Sequence, residues 1–183
     1  PMTIPPDIKA ERARNKLLEK AKEYQLGTYT NKFVAPLFQS VVRAEAAADP
    51  RKFVTAVVNG TIHQVPRRVG ECVCITCGTR GPWKGNYLGG GVIEAGHFIA
   101  SRRASILFEE TNVHPQCKNC NRHASGSQGC YEMWMRAVYG QEEIDRLRRL
   151  KNANVTFDRE QLVDMRIGFK KRLDAAILLL TKP

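Results

Sequence analysis

The sequence predicts an α+β fold that is mostly helical, with a small β-containing centre between two helical ends. Apolar side chains recur at helical spacing before residue 59 and again after residue 129. Between these ends, the stretch from Cys72 to Cys130 holds all six cysteines and three of the four histidines. A chain of 183 residues is long enough for one domain with an appended helical region. We divide it into a helical N-terminal region (1–67), a cysteine-rich core (68–140) and C-terminal helices (141–183).

Two helices are predicted near the N-terminus. Asp7 can cap a helix that runs to about Gln25, and Gly27 suits its end. A broad stripe of apolar residues at helical spacing predicts a second helix from Pro36 to Ala48. Such a stripe packs in a core or against another subunit.

The next stretch has mixed signals. Asp49-Pro50 suits the start of a short helix through Val58, which Asn59-Gly60 would close, but its β-branched residues weaken that prediction. A strand is predicted from Thr61 to Val65. Pro66 to Gly70 is then a basic linker into the core.

Three helices are predicted after Gly129. The first ends at Gly140, and Glu142 and Glu143 open the second, where acidic side chains suit the helix N-terminus. Asp158 can cap the last helix and form a capping box with Gln161. That helix is expected to run to about Leu180, with an apolar stripe that closes the core or pairs with another subunit.

The charge of the chain predicts a polyanionic partner. It carries 29 Lys and Arg against 18 Asp and Glu, a net charge of +11 and a pI near 9.6. Nucleic acid is the most plausible polyanion, although the signal is weak by itself. No apolar run is long enough for a membrane span and no secretory signal is visible, so we expect no membrane partner and a reducing cytoplasm.

Two C-x-x-C pairs, Cys74–Cys77 and Cys117–Cys120, predict one structural zinc site of four thiolates. Disulfides are the alternative, but they are rare in a chain without a secretory signal. Cys72 and Cys130 are expected to be free thiols, with Cys72 close enough in sequence to compete for zinc.

Between and after the cysteine pairs, polar residues follow the order His97, Asn112, Asn121. Hydrolysing a phosphodiester needs a base, a divalent metal and a scaffold that holds both. A β-hairpin followed by a helix supplies that scaffold: the first strand, Ile93 to Ile99, ends in the base, and the second ends near Gln116. Nothing in the sequence indicates a nucleotide cofactor.

Four segments together resemble the NinG (Rap) recombination nucleases of lambdoid phages, from about Arg68 to about Leu173. They are Cys74-Ile-Thr-Cys77-Gly78, Glu94-Ala-Gly-His97-Phe98, Phe108-Glu-Glu-Thr-Asn112-Val-His114-Pro-Gln-Cys117 and Cys120-Asn121-Arg-His123-Ala-Ser-Gly126. The resemblance implies a zinc-stapled ββα-metal (HNH-like) core. It also implies metal-dependent, structure-selective cleavage of branched DNA such as D-loops and Holliday junctions, in the cytoplasm of a bacterial host.

The resemblance to the wider ββα-metal superfamily implies a role for each polar residue. His97 would be the general base, Asn112 would orient the hairpin, and Asn121 would bind a catalytic Mg²⁺ or Mn²⁺. Most relatives carry a metal ligand directly before the base, where this chain has Gly96. Glu94 is the nearest carboxylate, but it points to the opposite face of a regular strand from His97, so we expect a glycine bulge at Gly96 to realign them.

Other candidate contacts stay open at this stage. The second metal ligand is Glu94, His114 or water, and His114 and His123 are candidates for metal or phosphate contacts or for bracing the hairpin. Backbone phosphates of DNA are expected at Arg102, Arg103, Lys118 and Arg122. Trp83, Lys84 and Tyr87, in a glycine-rich loop, suit stacking on an unpaired base.

Two other functions compete with this one: a zinc-ribbon DNA-binding module that recruits partners and cuts nothing, and a sequence-specific HNH endonuclease of the homing or restriction type. The expected partner in all cases is DNA, here branched or with single-stranded character. A second copy of the chain and host recombination proteins are further candidate partners.

Overall fold

The structure is a computed structural model that describes residues 5–84, 93–101 and 103–181. Helices make up most of these residues, and three two-stranded antiparallel sheets are present among them. The α+β fold class is therefore confirmed. No helix within the described ranges is long and apolar enough to span a membrane.

The N-terminal elements are α1 (Pro6–Lys22), α2 (Leu26–Tyr29), a π-helical turn (Thr30–Val34), α3 (Ala35–Ala48), β1 (Phe53–Val58) and β2 (Thr61–Pro66). The centre consists of β3 (Glu71–Val73), β4 (Arg80–Pro82), β5 (Ile93–His97), α4 (Ala104–Leu107), a 3₁₀ turn (Glu110–Asn112), β6 (Val113–Cys117) and turns at Asn119–His123 and Ser125–Ser127. The C-terminal helices are α5 (Gln128–Val138), α6 (Gln141–Leu150) and α7 (Arg159–Thr181).

The two ends of the chain share one apolar core. The stripe predicted for α3 packs on the stripe predicted for α7, and α1 also lies against α7. Phe38 of α3 contacts Phe169 of α7 with ring centroids 5.0 Å apart. The predicted capping box of α7 is present, because the Asp158 N–H donates to Gln161 Oε1 (2.9 Å) and the Gln161 N–H donates to Asp158 Oδ1 (2.8 Å).

The helix predicted from Asp49 to Val58 is wrong, since this stretch forms β1 in a hairpin with β2. Asn59 and Gly60 both adopt positive φ, 50° and 77°, and form the two-residue turn that Asn-Gly favours. Tertiary contacts hold the strand in place. Trp134 Nε1 donates to the Thr55 carbonyl (2.6 Å), and the Val57 N–H donates to the Ile75 carbonyl (2.8 Å).

The first helix also ends earlier than predicted. It stops at Lys22, and Gly27 lies inside α2 rather than ending α1. The chain bends here so that the rings of Tyr24, Tyr29 and Phe33 pack on one another. Tyr29 is fully buried as a result, and this aromatic packing outweighs the local signal for a longer helix.

Arg67, expected in a basic linker, is instead a buried structural residue. Its guanidinium donates to the Ala46 and Ala47 carbonyls at the carboxyl end of α3, and to the Arg51 carbonyl. A cation at this end of a helix satisfies carbonyls that have no partner within the helix. The guanidinium also donates to the Glu71 carbonyl (3.3 Å), and Ala47 packs in one apolar cluster with Cys72, so the N-terminal region and the cysteine-rich core are joined by packing.

Candidate functional site

The two cysteine pairs meet in one cluster. Cys74 and Cys77 lie between β3 and β4, whereas Cys117 ends β6 and Cys120 lies in the following turn. The four sulfurs all lie within 4.8 Å of one another, and Cys77 Sγ is 3.7 Å from Cys117 Sγ. A zinc tetrahedron with Zn–S bonds of about 2.3 Å has edges of about 3.8 Å. This cluster could therefore hold a metal ion, as the spacing predicted.

The surroundings of the cysteines shift the pKa values of their thiols in different directions. Burial tends to raise the pKa of Cys77, but hydrogen bonds with the Thr79 hydroxyl and backbone outweigh it, so that the pKa falls to about 7. Burial raises the pKa of Cys74 and of Cys117. A bound cation would offset this cost, because it favours the thiolates.

The two remaining cysteines lie outside the cluster, and both are free thiols. Cys72 is buried, its thiol donates to the Arg43 carbonyl (3.2 Å), and burial raises its pKa to about 12. The four sulfurs that could hold a metal ion do not include it. Cys130 is half-buried at the edge of the apolar core between α5 and α6.

The central hairpin pairs β5 with β6 in a regular register, with Glu94 opposite Gln116 and His97 opposite Val113. The glycine bulge expected at Gly96 is absent, because Gly96 pairs one-to-one with His114. Glu94 and His97 consequently project from opposite faces of β5. Gly96 is instead held by its backbone, whose carbonyl accepts a hydrogen bond from the Tyr131 hydroxyl (3.0 Å).

Asn112 is fully buried and braces the chain just after His97. Its Oδ1 accepts from the Ile99 N–H (2.8 Å), and its Nδ2 donates to the Ile99 and Ile106 carbonyls (3.2 and 3.4 Å). The Phe98 N–H donates to the Asn112 carbonyl (2.8 Å). These bonds join the end of β5 to the turn before β6, which suits the predicted orienting role.

His97 and Asn121 line the same open cleft of about 510 Å³, together with Gln39, Ser101, Ser125 and Gln128. His97 Nε2 lies 3.3 Å from the Leu107 carbonyl oxygen. A carbonyl can only accept a hydrogen bond, so this contact places the proton on Nε2 and makes Nδ1 the basic nitrogen.

Glu94 and Asn121 are brought together although they are far apart in sequence. Asn121 Nδ2 donates to Glu94 Oε2 (2.8 Å), and Arg122 forms an ion pair with Glu94 (2.5 Å). Burial tends to raise the pKa of Glu94, but hydrogen bonds from Arg122 and Asn121 and the charges of Arg122 and Lys118 lower it below its ordinary value. Glu94 is therefore held as a carboxylate beside Asn121.

The two other candidate histidines, His114 and His123, differ in burial. His114 is buried, with Nδ1 3.0 Å from the Tyr131 hydroxyl and Nε2 3.1 Å from the Tyr139 hydroxyl. Burial, and then the nearby His97, lower its pKa to about 3. Of the alternatives for His114, this geometry favours bracing the hairpin. His123 is exposed at the end of the turn that carries Asn121.

A model of the family described as Bacteriophage Lambda NinG protein matches residues 9–177. The chain belongs to the NinG family. It is 35% identical to protein ninG of Escherichia phage lambda over 91 residues, which cover 49% of this chain and 39% of that relative. Protein ninG of Salmonella phage P22 is 33% identical over 91 residues, again 49% of this chain and 39% of the relative. The match thus spans about two fifths of those relatives.

No solved structure matches this NinG-family chain with statistical significance. The family match extends well beyond residues 68 to 173, where the motifs suggested it. It includes α1 and α3, which pack on α7. The N-terminal helices therefore lie within the part of the chain that the family model describes.

Not every predicted contact lies within the described residues. Arg102 and Tyr87 fall outside them. Arg103 and Lys118 are exposed, as phosphate contacts require, whereas Arg122 is paired with Glu94. Trp83 packs against the cysteine cluster rather than standing free for base stacking, and Lys84 beside it is exposed.

Sequence reasoning missed two residues of this site. Tyr131 contacts both Gly96 and His114. Gln116 is fully buried on β6, the second strand of the hairpin. Gln116 stands directly before Cys117 in β6, and an amide side chain at that position of the strand is the signal that could have identified it.

Proposed function

We propose that this NinG-family chain is a metal-dependent, structure-selective DNA endonuclease with an HNH-like ββα-metal core stapled by zinc. The observation that carries the proposal is the shared cleft of His97 and Asn121, with Asn112 bracing the strand end beside the base. This arrangement supports a base and a metal ligand acting on one phosphodiester.

The residues present fit a hard divalent cation. Glu94 offers a carboxylate and Asn121 an amide oxygen, and Mg²⁺ and Mn²⁺ prefer such oxygen ligands. The Arg122 guanidinium beside Glu94 marks a position where positive charge is stabilised. Glu94 and Asn121 would hold the cation, which when bound supplies charge stabilisation to the phosphate and the leaving oxygen. Bound water would complete the coordination.

His97 is the proposed general base. Its Nε2–H is oriented by the Leu107 carbonyl, so Nδ1 accepts the proton of the attacking water. The cleft is open, which suits entry of a DNA backbone rather than a small enclosed substrate. The net charge of +11 supports attraction of that backbone.

The proposed substrates are branched recombination intermediates such as D-loops and Holliday junctions. We expect the wild-type protein with Mn²⁺ to cut four-way junctions, D-loops or forks and to spare linear duplexes of the same sequence. The measurement is a cleavage assay on this panel with and without Mn²⁺. Cutting of linear DNA at one sequence would instead favour a homing or restriction-type enzyme.

One observation favours a second candidate, a DNA-binding module without catalysis. Arg122 already pairs with Glu94, and in such a module this ion pair would take the place of the catalytic metal. In that case none of the panel would be cut with either Mg²⁺ or Mn²⁺, although DNA would still bind. Host recombination proteins would then be the partners to seek.

DNA affinity should fall steeply with salt, because phosphate contacts release counterions. Replacing Arg103 and Lys118, both exposed beside the site, with glutamine should weaken all substrates similarly and reduce the slope of log K against log salt by about 1 for each residue. Fluorescence anisotropy at several salt concentrations measures this. Lys9→Gln with Lys16→Gln, both exposed on α1, is the matched control. If both double variants weakened DNA affinity equally, the DNA backbone would not bind specifically along the cleft.

A further inference from the structure

The Gln116 side chain is buried in the β5–β6 hairpin and lacks a complete set of hydrogen-bond partners. It is fully buried on β6, opposite Glu94 of β5. Its Nε2 donates to the Gly126 carbonyl (2.9 Å) and to Thr76 Oγ1 (3.1 Å). Its Oε1 has no hydrogen-bond partner among the described residues. A buried oxygen left without a donor is rare in proteins and often marks an ion or water.

The orientation of this amide follows from its neighbours. The Gly126 carbonyl can only accept a hydrogen bond, so the nitrogen of Gln116 must face it and the oxygen must face the other way. Gly126 also lines the cleft that contains His97 and Asn121. The oxygen of Gln116 is thus turned away from Gly126, and the hydrogen bonds of the nitrogen of the same amide fix it in that orientation.

The oxygen points at Gly96, the residue directly before the proposed base. A Cβ atom placed on Gly96 would lie 1.9 Å from Gln116 Oε1 and 2.8 Å from its amide carbon. No side chain at position 96 is compatible with this arrangement. The Gln116 oxygen therefore occupies the space into which a side chain of residue 96 would project. Glu94, which contacts Asn121, projects from the same face of β5.

We propose that Gln116 Oε1 is a ligand of the divalent cation, supplied across the hairpin in place of the side chain that Gly96 lacks. This inference rests on the proposed function, and it completes an oxygen set with Glu94 and Asn121. Amide oxygens are suitable ligands for Mg²⁺ and Mn²⁺. It also explains why glycine precedes the base here, since any larger residue would displace the Gln116 oxygen.

The test measures Mn²⁺ binding to the full, zinc-loaded chain without DNA, by electron paramagnetic resonance and by calorimetry. Gln116→Ala should weaken Mn²⁺ binding about tenfold or more, the scale seen when metal-site partners are removed. Gly96→Asp in the Gln116→Ala background should restore binding to within a few fold, because it returns an oxygen to the same space. Thr76→Val, which removes one acceptor of the Gln116 nitrogen but keeps the oxygen, is the matched control and should bind Mn²⁺ far better than Gln116→Ala.

Two results would overturn the inference and leave the proposed function intact. In the first, Gln116→Ala binds Mn²⁺ like the wild type, whereas Glu94→Gln and Asn121→Ala each weaken Mn²⁺ binding. In the second, the Gly96→Asp, Gln116→Ala double variant folds normally but does not regain Mn²⁺ binding. Where Gln116→Ala itself folds poorly, the double variant decides. Wild-type protein that binds no Mn²⁺ and cuts no DNA would overturn the proposed function together with the inference.

Discussion

The Cys74→Ser and Cys120→Ser variants are expected to lose zinc and to unfold the centre of the protein. The apolar cluster around the metal site is small, with Ala47, Cys72, Cys74, Ile93 and Cys120 as its buried members. Structural zinc contributes about 10–16 kcal/mol of apparent binding free energy in zinc-finger peptides. That is comparable to the whole stability of a typical domain, about 5–15 kcal/mol. Losing the site should therefore abolish cooperative folding of β3 to β6.

Elemental analysis should give one zinc per wild-type chain. Thermal unfolding followed by circular dichroism should show the loss of cooperative folding in both variants. Cys130→Ser is the matched control, because Cys130 is a free thiol outside the cluster. It should keep zinc and melt close to the wild type. A zinc-free, folded wild-type protein with a disulfide between the two cysteine pairs would show that this cluster is not a metal site.

The His97→Ala variant is expected to lose about 10²-fold or more in cleavage rate while keeping its DNA affinity. A general base stabilises the transition state and contributes little to ground-state DNA binding, so its removal should lower the cleavage rate without lowering the affinity. Single-turnover cleavage of the best branched substrate, with anisotropy for affinity, measures both. His63→Ala is the control, since His63 is exposed on β2 and contacts Thr61.

Asn121→Ala should also stop cleavage, but through weaker metal binding. Higher Mn²⁺ should then partly rescue Asn121→Ala and hardly affect His97→Ala. If His97→Ala cuts as fast as the wild type, the proposed mechanism is wrong and the DNA-binding module becomes the better account.

Local signals predicted the parts of the fold whose geometry is set within a few residues. The C-x-x-C spacing places both thiols of a pair on one turn, and all four sulfurs meet as expected. The capping box of α7 and the strands β5 and β6 formed where their residues favoured them. The helix predicted for residues 49–58 was wrong because Asp49-Pro50 resembles a helix start. The contacts that hold this stretch as a strand come from Trp134 and Ile75, which are distant in sequence.

The sequence by itself determined the family, the cysteine cluster and the order of His97, Asn112 and Asn121, because these depend on residue type and spacing. Only the tertiary structure decided that Glu94 contacts Asn121 and Arg122, that His114 is buried between two tyrosines, and that Gln116 fills the space beside Gly96. Each of these contacts joins different elements. Its geometry depends on strand register and on how the turns after β6 pack over the hairpin, which spacing along the chain does not specify.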